Sequence, residues 1–281
     1  MTALTRPTSR RTPPPPRDWE AIRTVVGKDL TAIRRSKAIV YPMIGLPVLL
    51  LVALPLALGG MARSVDPGSA LSSPLVADLL SVVTSRPPAE QLPVLVLGYL
   101  LAPLLVVLPL MVSAVLAADA FAGEKERRTL ESLLLLPMSD RDLFTAKLLS
   151  AYLPALTITW AGGVLYAIVA NVSAWPVTGS LVVPFPQWIV MLLWIAPAVA
   201  LLSLALLVLV SSRARTTQEA NQLGGAVILP LIFVAASQVS AMLLAPVPAV
   251  IAAGAVIWLA AALLLRVGSR RFTRDRLASR A

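Results

Sequence analysis

Residues 148–212 contain no Asp, Glu, Lys or Arg, a run of 65 positions. One crossing of a bilayer core takes about 20 residues, so a run of that length must enter a membrane, turn beyond it and return. Further charge-free runs cover 38–58, 92–118 and 220–265. Hydrocarbon offers no water to the backbone, and a helix is the form in which a single segment satisfies its own amides. The expectation is an all-α integral membrane protein. Composition agrees, with 58% hydrophobic and 14% charged residues, where a soluble domain carries about a quarter charged.

Breaks within the long runs divide them into crossings. The stretch at 171–188, NVSAWPVTGSLVVPFPQW, gathers Asn, Ser, Gly and Pro and reads as an external turn, with Trp175 and Trp188 as interface anchors. It separates a span at 148–170 from one at 188–210. Ala-Pro-Val-Pro at 245–248 divides the last run into spans at 223–244 and 249–265; the neighbouring 236–250 region fits either an outside turn or a re-entrant pair. With 38–58 and 92–118, six transmembrane helices are expected. A small external cap at 59–91 joins the first two and includes a short amphipathic run at 74–83.

Positive charge orients this layout. Nine Lys and Arg precede the first span, five lie in 124–147, two follow the fourth span and six end the chain from Arg266, whereas the external segments hold only Arg63 and Arg86. Lys and Arg accumulate on the cytoplasmic side, so both termini are expected in the cytoplasm of a multi-pass cell-membrane protein. The net charge of +10 is then a topology signal, and nucleic acid is not expected as a partner.

The ends of the chain differ from its middle. Residues 1–16 are mostly Thr, Arg and Pro, closing on four consecutive prolines from Pro13, a composition that builds neither a core nor a hydrogen-bonded element. A disordered cytoplasmic tail is expected, and no apolar run follows its charges as in a cleaved signal peptide. Between 17 and 37, Trp19, Ile22, Val26, Leu30 and Ile33 recur at three- and four-residue spacing. Arg23, Lys28, Arg34 and Arg35 surround that stripe, which reads as an interfacial amphipathic helix drawn to anionic membrane lipid. Residues 266–281 form a basic cytoplasmic tail.

The most charged stretch lies between the second and third spans, where 124–147 carries ten charged residues in 24 positions. As a helix it sets Leu130, Leu133 and Leu134 on one side and Arg127, Arg128, Glu131 and Ser132 on the other. Pro137 stops it, because its ring removes a donor and disfavours helix at the preceding residue. Ser139 with Asp142 three positions on has the form of a helix cap, and Asp140 and Asp142 place negative charge at the positive end of a helix leading into the third span. A short surface helix joined stiffly to a membrane helix is a lever. Two accounts fit Leu135, which projects from the polar side: fraying of the last turn, or an apolar knob aimed at a cytoplasmic partner.

Several activities are excluded or disfavoured. Absence of Cys and His removes thiol chemistry and the commonest metal ligand and proton shuttle. No ionisable residue falls within the six spans, where ion-coupled carriers and proton pumps place theirs. Ser113, Thr157, Thr159, Ser203, Ser237 and Gln238 read as helix-to-helix hydrogen bonding, and the Gly162-Gly163 and Gly224-Gly225 pairs as close packing or a kink. There is no GxxxxGK[ST] loop. Energy for any work must come from another polypeptide.

The sequence EKERRTLESLLLLPMSDRDLFTAKLL resembles the cytoplasmic loop of the type-2 ABC exporter permeases, above all their sodium- and drug-efflux branch. Glu124, Glu126, Thr129, Leu130, Glu131, Leu133, Leu134, Pro137, Ser139 and Lys147 hold the places of that loop's pattern. Arg128 stands where Gly is usual and Asp140 where Arg is frequent. The resemblance extends to the N-terminal helix, six spans, cap and topology. It implies a permease dimer, two permeases with two copies of a separate ABC ATP-binding subunit. ATP and Mg would sit on that partner, with no cofactor, metal or catalytic residue on this chain. The resemblance further implies a coupling helix between spans 2 and 3, with Glu124, Glu126, Arg127, Arg128, Thr129, Leu130, Glu131, Leu134, Leu135 and Pro137 at the ATPase, a secondary contact at 212–222, and outward movement of a substrate. A membrane anchor or sensor subunit that docks an ATPase without forming a substrate path uses the same segment. A channel or scramblase working alone is a third reading, and a membrane enzyme is last for want of catalytic groups.

Overall fold

The computed structural model describes residues 17–64, 83–101, 104–118, 138–211 and 245–271, with isolated positions between 218 and 232. Among these the regular elements are all helical. Helix α1 (Trp19–Arg35) opens at Asp18, whose carboxylate accepts from the Ala21 N–H at 2.9 Å, satisfying a donor that the first turn leaves over. One extended residue, Ser36, then breaks the ladder before α2 (Lys37–Ser64). Three prolines, at 42, 47 and 55, lie inside α2, and it continues past the expected span.

The second crossing is made of pieces: α3 (Pro88–Val94), a π-helical stretch Leu95–Leu100, and α4 (Leu104–Ala118). It starts earlier than 92 because Pro88 sits in the first turn, where its fixed φ suits the helix and its missing N–H costs nothing. The third is α5 (Asp140–Thr178), 39 residues and so about 58 Å long, close to twice the hydrocarbon thickness of about 30 Å. The fourth comprises α6 (Pro186–Val190), a π-helical stretch Met191–Ile195 and α7 (Ala196–Ser211). A final helix, α8 (Val247–Arg271), takes in residues 247–250, so these belong to a crossing and not to a loop. Among the described residues, five stretches are long and apolar enough to cross a membrane: Lys37–Ala62, Pro88–Ala117, Asp140–Thr178, Pro186–Leu207 and Val247–Ser269. The span expected at 223–244 falls almost wholly outside the described residues, as do most of the cap at 59–91, the segment 119–137 and the N-terminal tail.

The turn expected over 171–188 shrinks to 179–185. Asn171 is not a helix breaker here. Its side chain points sideways, donating to the Val183 carbonyl at 2.6 Å and accepting from the N–H groups of Val182 at 2.8 Å and Val183 at 3.2 Å. It thereby ties the returning chain to the helix. α5 ends at Gly179, with φ 54, a left-handed conformation that glycine adopts without a Cβ clash. Trp175 is exposed, as an anchor would be, but Trp188 is only 4% exposed and packs inside the protein.

Packing follows from which faces are apolar. α5 lies between α2 and α4, and α7 between α4 and α8, so the described crossings stand in the order first, third, second, fourth, last. Leu105, Leu110, Val112, Met191, Ile195 and Leu204 fill the centre, whereas α2 and α8 turn large apolar side chains such as Tyr41, Leu49, Val256 and Leu259 outward. Glycines allow the closest approaches. A Cβ on Gly162 would lie 2.9 Å from a Leu51 methyl and 3.0 Å from one of Leu108, and a Cβ on Gly163 would lie 2.5 Å from Leu192. Gly254 is buried under Trp194, whose ring occupies the space of a Cβ. Trp194 also donates to the Ile251 carbonyl at 3.1 Å, and Trp258 donates to that of Trp194 at 3.2 Å. Replacing Gly254 by Val is expected to lift α8 off the indole and lower stability by about 1–3 kcal/mol, measured as a fall in the thermal unfolding midpoint of the detergent-solubilised chain.

Candidate functional site

The Ser139 end of α5 is where local sequence, packing and charge converge. Ser139 occupies the N-cap: its hydroxyl oxygen accepts from the Asp142 N–H at 3.1 Å and donates to the Asp142 carboxylate at 2.7 Å. Asp142 is 4% exposed, and its charge lies among the free N–H groups of the first turn. The helix is therefore ordered from its first residue. Leu143, Phe144 and Ala146 then bury one side of it.

Helix α1 docks on this base. Ile22 and Val25 are buried against Ala146, with Val26, Met138 and Leu149 at the margin. The stripe expected to rest on lipid thus meets protein over Ile22, while Trp19 is 50% exposed and carries the Arg17 guanidinium 5.5 Å from its ring centre. One step further along the same stripe stands Asp29, seven residues beyond Ile22, and its carboxylate is 2.9 Å from Lys147 Nζ. The Lys147 side chain is 2% exposed and that of Asp29 13%. A pair so desolvated contributes little net stability, but removing Lys147 strands the buried Asp29 charge at a cost of about 3–5 kcal/mol.

Of the residues singled out in the sequence, Ser139 and Asp142 meet at this cap. Glu124, Glu126, Arg127, Arg128, Thr129, Leu130, Glu131, Leu134, Leu135 and Pro137 lie outside the described residues, immediately ahead of it. Asp29 was missed, although an acid on the apolar stripe of a basic helix, at i+7 from Ile22 and i+4 from Val25, is a readable signal.

Within the bundle, polar side chains serve the backbone. In Leu95–Leu100 the ladder shifts by one residue, so the Leu101 N–H bonds Val96 at 3.0 Å in place of Leu97. The buried Tyr166 hydroxyl donates to the Leu97 carbonyl instead. In Met191–Ile195 the Ala196 N–H bonds Met191, and Pro197 has no N–H to offer Leu192. Trp160 Nε1 of α5 donates to the Leu192 carbonyl at 3.3 Å, and the Tyr152 hydroxyl donates to that of Pro197 at 3.3 Å. Thr157 and Thr159 bond carbonyls one turn back at 2.9 and 2.7 Å, while Ser203 and Ser113 both reach that of Ala200, at 2.9 and 3.5 Å. At the Gly179 end, an apolar groove of about 650 Å3 runs between α5 and the return loop, lined by Val164, Ile168, Val172, Trp175, Leu181 and Trp188 among others.

These features describe a helical membrane body with one stiffened, charge-locked corner. The model of the protein family described as ABC-2 family transporter protein matches residues 23–257. Among curated proteins, none matches the chain. Ser139→Ala is expected to remove the cap and lower stability by about 0.5–2 kcal/mol, whereas Ser139→Thr, which keeps the hydroxyl, retains most of it; thermal unfolding of the chain in nanodiscs reads the difference.

Proposed function

This chain belongs to the ABC-2 family of transporter proteins, and on that footing we propose that it is the permease subunit of an ATP-driven exporter whose power stroke arrives through residues 124–147. Two copies would work with two copies of a separate ATP-binding subunit, which holds ATP and Mg. In this reading both termini and the 124–147 segment face the cytoplasm, and cargo leaves on the side of the return loop. The observation that carries the reading is the cap. Ser139 orders α5 from its first residue, within the stretch richest in charge, so a displacement delivered just ahead of residue 138 meets an ordered first turn of α5 and not a frayed one.

The residues take definite roles under this proposal. Arg127, Arg128 and Glu131 supply polar contacts to a groove on the ATP-binding subunit, and Leu134 or Leu135 enters it as the apolar anchor, in the manner of a helix laid into a groove. Glu124, Glu126, Thr129 and Leu130 complete the docking helix, and Pro137 fixes the angle between it and α5. Tyr152, Thr157, Thr159, Trp160 and Ser203 within the crossings each bond a backbone carbonyl, which supports a reading in which the energy source is a separate subunit.

The test uses the ATP-binding subunit that co-purifies with the full chain. Joint replacement of Leu135→Asp and Arg128→Glu is expected to abolish the increase in ATP hydrolysis that the permease confers in liposomes, and with it ATP-dependent cargo movement, while membrane insertion is retained. Stimulation equal to that of the unaltered chain would contradict the proposal. ATP hydrolysis stimulated normally without any cargo movement would instead point to an anchoring subunit.

A further inference from the structure

From the buried contact between Asp29 and Lys147 we infer that the pair is a positioning latch, which makes α1 and the adjoining base of α5 move as one arm. The inference rests on the ATP-driven reading only for what moves the arm. Three observations carry it. The two groups are 118 residues apart, meet at 2.9 Å and are nearly sealed from solvent, so each helps the other to remain charged there. The rest of the described interface is apolar: Ile22 and Val25 rest on Ala146, with Val26, Met138 and Leu149 at the margin. Lastly, α1 is joined to α2 through the single extended residue Ser36, a joint about which an unlatched helix can swing.

Position gives the latch its purpose. Lys147 stands eight residues after Ser139 and so about 12 Å along α5, on the part of the helix that a push from 124–137 displaces first. Asp29 stands seven residues before the joint at Ser36, about 10 Å away along α1. A displacement of the α5 base is therefore carried by the ion pair into α1 and through Ser36 into α2. The first and third crossings are driven together, although only the third follows the docking segment in sequence. An apolar contact alone would hold α1 without fixing its register along α5; a buried pair of opposite charges favours one register because any other separates the two charges.

The chain has no cysteine, so spin labels can be placed without background at Thr24→Cys on α1 and Arg141→Cys on α5, both exposed in the structure. Pulsed electron paramagnetic resonance on the full chain in nanodiscs is expected to give one narrow distance distribution. The distribution should be the same for the permease alone and for its ATP-trapped complex with the ATP-binding subunit. Lys147→Met should broaden it and reduce permease-dependent stimulation of ATP hydrolysis at least about fivefold, and the exchange Asp29→Lys with Lys147→Asp should restore both. Should Lys147→Met fail to fold, Asp29→Asn, which keeps the side-chain shape, carries the same expectation for width and stimulation. A distribution in Lys147→Met as narrow as in the unaltered chain, or a distance in the unaltered chain that shifts between the two states, would overturn the latch. Broadening in a permease that no ATP-binding subunit responds to would sustain the latch and sink the ATP-driven reading, so the two fail separately.

Discussion

A carbonyl group surrounded by hydrocarbon must find a donor, and that requirement organises this bundle. The second and fourth crossings each contain a stretch in which the hydrogen-bond ladder slips by one residue, leaving a carbonyl over. In both cases the donor comes from α5, as the hydroxyl of Tyr166 for Leu97 and the indole of Trp160 for Leu192. An unmet carbonyl costs about 1–3 kcal/mol when buried, so these two side chains hold irregular segments that could not stand alone. α5 is thus a spine in a chemical sense, because its neighbours depend on it for backbone partners as well as for packing.

That dependence makes α5 suited to transmit motion. It is capped at both ends, by Ser139 and by Gly179, and it gathers contacts along its whole length: α1 at its base, glycines 162 and 163 against three other crossings in the middle, and Asn171 holding the return loop near its far end. A rod fixed in this way moves its neighbours when its base moves. Under the permease reading the cytoplasmic docking helix supplies the displacement, and the Asp29–Lys147 contact widens it to include the first crossing.

Much of this was legible in the sequence where physics acts locally. Charge-free length located the described crossings, and the Ser139-to-Asp142 spacing marked where α5 begins. The far end of α5 was misread for an instructive reason. Asn171, Ser173 and Pro176 look like breakers when only neighbours in sequence are considered, yet Asn171 bonds the loop eleven and twelve residues ahead and leaves its own helix intact. Trp188 likewise resembles an interface anchor until the neighbouring helices bury it. The latch and the aromatic donors join residues 118, 69 and 32 positions apart, and no periodicity encodes such meetings. What could have been noticed is the anomaly each creates locally: an acid on an apolar stripe, a lysine at the foot of a charge-free run, tyrosine and tryptophan inside a crossing.

The account stands on contact between the segment ahead of α5 and an ATP-binding protein. A photo-activated cross-linking residue placed at position 135 in the full chain, in intact native membranes, tests this most directly. Irradiation is expected to join the chain to an ATP-binding subunit, with a yield that changes when ATP is trapped. Adducts confined to lipid or to proteins outside the cell, with none to an ATP-binding subunit in any nucleotide state, would contradict it.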